Sequence, residues 1–246
     1  MNLLRRRDWA KLYVERLRSR GIVLGGPFKG MHYVSESVGS QFWPKLFGTY
    51  ECELHELFAQ FDRENFKTVV DVGAAEGYYA VGCAVRWPNT TVVAFETEPR
   101  GRDLLAKMAE RNGVADRVRI RGHADPDALG VVFGADLKGA VLCIMDVEGG
   151  EDVLCDPGVI PALTRAHILV ETHEFAVPGI EDRLVARFAS THRCKGIVPR
   201  PRSVSDFSES VPLIGRLLFG RNLPQVVDEW RTPNCGWLYL APLHTK

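Results

Sequence analysis

The sequence predicts an α/β fold: a seven-stranded, mostly parallel sheet with helices on both faces and an N-terminal helical extension. Three observations predict it. From residue 67 onward, short apolar runs alternate with segments of helical length. Most of these runs are apolar at consecutive positions rather than at every second one, the pattern of strands buried on both faces. The first run ends in a glycine-punctuated turn that leads into helical character, as at the binding crevice of open α/β sheets. The 246 residues are ample for one hydrophobic core, and a composition of 46% hydrophobic and 25% charged residues excludes a disordered chain.

Taken in order, residues 3–20 place Trp9, Leu12, Tyr13 and Leu17 at helical spacing with arginines on the other faces, an amphipathic helix. It reads as a cover for one edge of the domain; the alternative is a helix that docks on an acidic partner or a membrane surface. Residues 21–50 are too apolar for a free linker and too rich in glycine for one helix, so they are expected to pack on the main domain. Helical periodicity resumes through Leu54, Leu57, Phe58 and Phe61. Strands follow at 67–73, 90–96, 117–123, 140–148 and 166–174, with helices at 78–87 and 99–112, the second capped by Asn112-Gly113. A helix over 181–191 and two more apolar runs, 193–200 and 235–243, complete seven strands. This divides the chain into an extension or lid, 1–66, and the main domain, 67–246.

Formal net charge is zero, but residues 1–30 carry +6 and the remainder −6. A basic arm is therefore expected without the overall basic surface of a nucleic-acid binder, and no nucleic-acid partner is expected. No run reaches the roughly eighteen apolar residues of a membrane span. The arginine cluster near the start lacks the apolar stretch of a secretory signal. Six cysteines are scattered without metal-like spacing, which suits reduced thiols and a cytoplasmic protein. A homodimer is left open.

The chemistry-bearing motifs lie at strand ends. "VVDVGAAEGYYAV" ends a buried strand at Asp71, and Gly73 and Gly77 bracket the turn into a helix whose first N–H groups suit a carboxylate. The second glycine of a dinucleotide fingerprint is replaced by Ala75, which argues against NAD. Glu96 ends the second strand, where a carboxylate accepts hydrogen bonds from both ribose hydroxyls of a nucleoside; a merely solvated charge is the alternative. His123 and Asp125 follow the third strand, where a base would lie, although polar loop residues need no ligand. Asp146 and Glu148 close the fourth strand, and Glu171, His173 and Glu174 the fifth. These groups are candidates for a general base, His173 having the unperturbed pKa nearest neutrality. A metal site of Asp146, Glu171 and His173, or charges that pair among themselves, are the other readings.

In this order, "DVGAAEG", "FETEP", "IMDVEGGE" and "ILVETHE" resemble the class I methyltransferase fold, a Rossmann-like fold, and specifically the FkbM-type methyltransferases. The resemblance covers residues 67–175 and implies seven strands with the last antiparallel, and S-adenosylmethionine as cofactor. It implies that Asp71, Gly73, Ala74 and Gly77 surround the methionine part and that Glu96 holds the ribose. His123, Ala124 and Asp125 then border the adenine, and Asp146 faces the sulfonium and substrate. Asp146, Glu148, Glu171 and His173 are the catalytic candidates it leaves. Two departures stand out: Ala75-Glu76 replaces an Asn-Ile-like pair, adding charge near the cofactor's carboxylate, and Thr97-Glu98 intervenes before the proline.

The implied reaction is methyl transfer to a hydroxyl of a small molecule, glycan, lipid or polyketide. A nucleobase amine methyltransferase would show an Asp/Asn-Pro-Pro-Tyr/Phe strand end, and here it is "DVEG". The competing class is a non-catalytic nucleoside binder whose basic helix docks a partner or membrane. Composition around Tyr50 and Glu51 suggests a lid over the site.

Overall fold

The computed structural model describes residues 18–134, 139–213, 216–217, 223–229 and 235–243. Most of the helix expected over 3–20 lies outside these residues; 18–20 are helical.

One seven-stranded sheet organises the chain, in the order β3-β2-β1-β4-β5-β7-β6. The strands are β1 (Thr68–Val72), β2 (Thr91–Phe95), β3 (Val118–Arg121), β4 (Val141–Met145), β5 (His167–His173), β6 (His192–Ile197) and β7 (Cys235–Pro242). Strands β1 to β5 pair in parallel, and β7 runs antiparallel between β5 and β6. The expected strand count and the antiparallel last strand are both present. Connecting helices are α1 (Phe42–Phe47), α2 (His55–Phe61), α3 (Tyr78–Arg86), α4 (Pro99–Arg111), α5 (Pro126–Gly134), α6 (Glu151–Leu154) and α7 (Ile180–Phe188).

The central strands are buried on both faces because their β-branched and aliphatic side chains alternate between two cores. Val69 of β1, Leu142 and Ile144 of β4 and Leu169 of β5 pack with α3 and α4. Val70 and Val72, Cys143 and Met145, and Ile168 and Val170 pack on the other side with α5 and α7. Period-two alternation then places Asp71 on the α3 face with Val69. Helix α4 ends as the sequence suggests, with Asn112 at its cap and Gly113 at φ 66°.

Residues 21–50 join the α3 and α4 core. Val23, Phe28, Met31 and Tyr33 are buried in it with Leu54, Phe58 and Phe61 of the following segment. Gly82 makes room for this: a Cβ there would lie 2.6 Å from the Phe28 ring. Four of the six cysteines are buried and none is disulfide-bonded. Among the described residues, no helix is long and apolar enough to cross a membrane.

Candidate active site

Strand register lines the site up. Arg121, Phe95, Val72, Met145 and Val170 are lateral neighbours across β3, β2, β1, β4 and β5. One step further along each strand come Gly122, Glu96, Gly73, Asp146 and Glu171. Parallel strands end at one edge, so this row forms the floor of a crevice at their carboxyl ends. A cavity of about 530 Å³ stands over it, within the size range of small-ligand sites.

At one end the glycine turn shapes the floor. Gly73 has φ 88°, and a Cβ there would meet the Asp146 carbonyl oxygen at 1.7 Å. The glycine is therefore required by the neighbouring strand, before any ligand is considered. Glu96 reaches across the turn: its carboxylate accepts from the amides of Ala75 at 2.6 Å and Glu98 at 2.7 Å. Gly101 admits it, since a Cβ there would come within 2.8 Å of the Glu96 side chain. Ala75 takes φ 47°, a left-handed conformation costly for a residue with a side chain.

At the other end a histidine sits among carboxylates. His173 is buried, and its Nδ1 lies 2.5 Å from Oε1 of the fully buried Glu151. Its Nε2 is 3.5 Å from Glu148, 3.6 Å from Asp146 and 3.8 Å from Glu171. Burial works against the imidazolium, but the Glu151 hydrogen bond and the Asp146, Glu151 and Glu148 charges outweigh it and raise the pKa above that of an ordinary histidine. Asp71 lies between the two ends. Burial first, and then the Asp146 charge, push its carboxyl up to about 7. Glu148 is another left-handed residue, at φ 49°. Among the described residues, two triads gather potential ligand atoms within 4.8 Å: Asp146, Glu148 and His173, and Glu171, His173 and Cys235. His173 is thus grouped with Glu148 on one side and Cys235 on the other, rather than with Asp146 and Glu171 as one set.

The N-terminal segment forms a wall. Glu76, the departure expected to add charge near the cofactor's carboxylate, is paired within this wall. It is buried, 2.5 Å from Lys45 Nζ, accepts from the Val38 amide at 2.9 Å, and receives the Tyr33 hydroxyl. Lys45 also donates to Ser40 and stands 4.9 Å above the Tyr50 ring. Glu51 accepts from the Tyr79 hydroxyl, and its amide donates to Glu229, which pairs with Arg202.

Of the residues expected at the site, Asp71, Gly73, Ala74, Glu96, His123, Ala124, Asp146, Glu148, Glu171 and His173 line the cavity. Gly77 and Asp125 do not, and each has a structural contact of its own. A Cβ at Gly77 would strike Leu105 at 2.7 Å, so this glycine serves the packing of α3 on α4. Asp125 accepts from the Ala128 amide at 2.7 Å and caps α5. Glu174 likewise turns away, holding the amides of Gly179 and Glu181 at the start of α7. Sequence reasoning missed Lys45, Tyr78, Tyr79, Glu229 and Cys235 in the lining and Glu151 behind it. Only Glu151 left a usable trace, three residues after Glu148 in an acidic strand end.

No family model matches the chain. Over 87 residues it is 28% identical to a tRNA (guanine-N(7)-)-methyltransferase of Corynebacterium efficiens, spanning 35% of this chain and about a third (34%) of that relative's length. An rRNA methylase structure from Streptococcus thermophilus aligns with a TM-score of 0.51 at 9% identity, over 78% of this chain and 97% of that one. An O-methyltransferase from Bacillus cereus in complex with SAH aligns with a TM-score of 0.47 at 12% identity, over 78% and 80%. Likeness at such identities is a likeness of fold and leaves function to the site. The chain has the Rossmann-like fold of class I methyltransferases.

Proposed function

We propose that the protein is an S-adenosylmethionine-dependent O-methyltransferase of the FkbM type, acting on a hydroxyl of a small molecule, glycan, lipid or polyketide. One observation carries the reading: a single cavity has the Glu96 carboxylate at one end of its floor and the His173 cluster at the other. S-adenosylmethionine supplies an electrophilic methyl group on a sulfonium. Glu96 accepts hydrogen bonds from the ribose hydroxyls, and His123 and Ala124 border the base. Gly73 and Ala74 flank the methionine portion, with Asp71 and Asp146 offering negative charge toward a cation. His173 would hold the acceptor hydroxyl and take its proton as that oxygen accepts the methyl group. The described part of the N-terminal segment, residues 18–66, acts as a cover, and Tyr50 and Glu51 bring it to the cavity lining.

The carboxylates around His173 favour a neutral or cationic acceptor over a phosphodiester, which keeps nucleic acid in second place despite the RNA-methylating relative. The test is thermal. S-adenosylhomocysteine at about 100 times its Kd adds roughly 2.7 kcal/mol, a rise on the order of 5–10 °C for this size. Glu96→Ala should weaken that binding about ten- to hundredfold, the scale of lost charged hydrogen bonds. His173→Ala should leave it unchanged while lowering turnover about 10²- to 10⁴-fold. A shift with NAD alone, or none with either sulfur nucleoside, sinks the cofactor. Methylation of tRNA in place of a hydroxyl pool sinks the acceptor class.

A further inference from the structure

We propose that Glu151 is a positioning residue that locks His173 in the Nδ1–H tautomer, leaving the Nε2 lone pair for the acceptor hydroxyl. The inference rests on the reading of His173 as the base and deepens it.

An ionised carboxylate only accepts hydrogen bonds. With Glu151 Oε1 at 2.5 Å from Nδ1, the proton of a neutral imidazole sits on Nδ1. Nε2 then carries the lone pair, and it is the nitrogen that faces Asp146, Glu148 and Glu171. Those three oxygens lie at 3.5 to 3.8 Å, beyond ordinary hydrogen-bond length. They stabilise positive charge on the ring without occupying Nε2. Cys235, the register partner of His173 on β7, completes the surround.

The surroundings of Glu151 suit such a role. Among the described residues, the cation its fully buried carboxylate meets is His173. Burying a carboxylate costs several kcal/mol unless it is well paired, so a solvated surface position would suit a purely structural residue better. The four-residue helix α6 that carries it is tied to α7. Arg187 of α7 donates to the Asp152 and Cys155 carbonyls at 2.9 and 3.0 Å and pairs with the Asp152 carboxylate at 2.9 Å. The Gly149 amide also donates to Glu151 Oε1, at 3.2 Å. A base must be aimed as well as basic, and this scaffold aims it.

The test is two-bond ¹H–¹⁵N NMR of the full chain with ¹⁵N-labelled histidine, the His173 signals being assigned by their loss in His173→Asn. Near pH 9 the wild type should show a protonated Nδ1 and a bare Nε2. Glu151→Gln removes the charge at constant volume and should lower the His173 titration by about one pH unit, a change of about 1.4 kcal/mol. Glu151→Leu removes the acceptor and should transfer the proton to Nε2. A wild type already in the Nε2–H form overturns the proposal, and that measurement needs no variant to fold. Unchanged tautomer and titration in both variants, with only a lower Tm, also overturns it and makes Glu151 structural. S-adenosylhomocysteine binding is measured alongside. Its absence in the wild type would remove the cofactor reading, whereas normal binding with the wrong tautomer would remove only this one.

Discussion

At the Glu96 end of the cavity, two backbone amides meet one carboxylate; at the His173 end, four carboxylates surround one imidazole. The first arrangement is assembled by adjacent loops. Ala75 belongs to the turn after β1, and Glu98 lies two residues from Glu96 itself. The second draws on the ends of β4 and β5, the short helix α6 and, through Cys235, β7. Neutral amides hold a carboxylate still without cancelling its charge, which suits recognition of hydroxyls. A cluster of like charges around a histidine makes its proton the variable quantity, which suits proton transfer. On the function proposed above, binding and chemistry have separate electrostatic solutions on one sheet edge.

The strongest way to break this contrast is to release the Glu96 end from its support. The turn that supplies the Ala75 amide is tied to the N-terminal segment through Glu76 and Lys45. Glu76→Gln leaves Lys45 buried without its counter-charge and should cost about 3–5 kcal/mol. Urea unfolding reads this directly. The paired change Lys45→Met with Glu76→Leu should recover most of it, and a double variant as weak as the single one would show that the pair acts through geometry rather than charge.

Asp71, between the two ends, sharpens the comparison with pH. Its folded pKa of about 7 lies above the unfolded value of about 3.9. The folded state therefore holds the proton more tightly. Its contribution is most favourable below about pH 4 and is lost as pH rises toward 7, with a slope no steeper than about 1.4 kcal/mol per pH unit. Asp71→Asn should remove that slope. Tm followed from pH 4 to 8 in both proteins gives the difference, and parallel curves would show that Asp71 is ionised in the fold across the range. The smallest effect is expected at Ala75. Ala75→Gly relieves a left-handed alanine at the cost of a more flexible unfolded chain, for a net gain of about 0.5–1 kcal/mol in Tm-derived stability. A loss there would mean that the methyl group packs more than it strains.

Much of the Glu96 end was legible because the information is local. Asp71, Gly73 and Glu96 fall at the ends of strands that periodicity alone reveals, and parallel strands bring their ends to one edge. The reasons were less legible than the residues. Gly73 answers to the Asp146 carbonyl and Gly77 to Leu105, contacts over long sequence separations that no motif encodes. Asp125, expected to border the base, also caps a helix, a role that an acidic residue before Pro126 does signal. At the His173 end, the acidic strand ends were visible but their arrangement was not.

The sequence by itself determined the layered α/β architecture, the strand count and the sheet edge on which polar residues gather. These follow from apolar periodicity and glycine placement, which act within a few residues along the chain. Only the tertiary structure decided which charges meet. Whether Glu76 faces a ligand or Lys45, and whether Glu151 or Glu171 holds Nδ1 of His173, depends on side-chain directions set by packing between distant segments. Electrostatic energy varies steeply over a few ångströms inside a low-dielectric core, so residue spacing along the chain cannot resolve it.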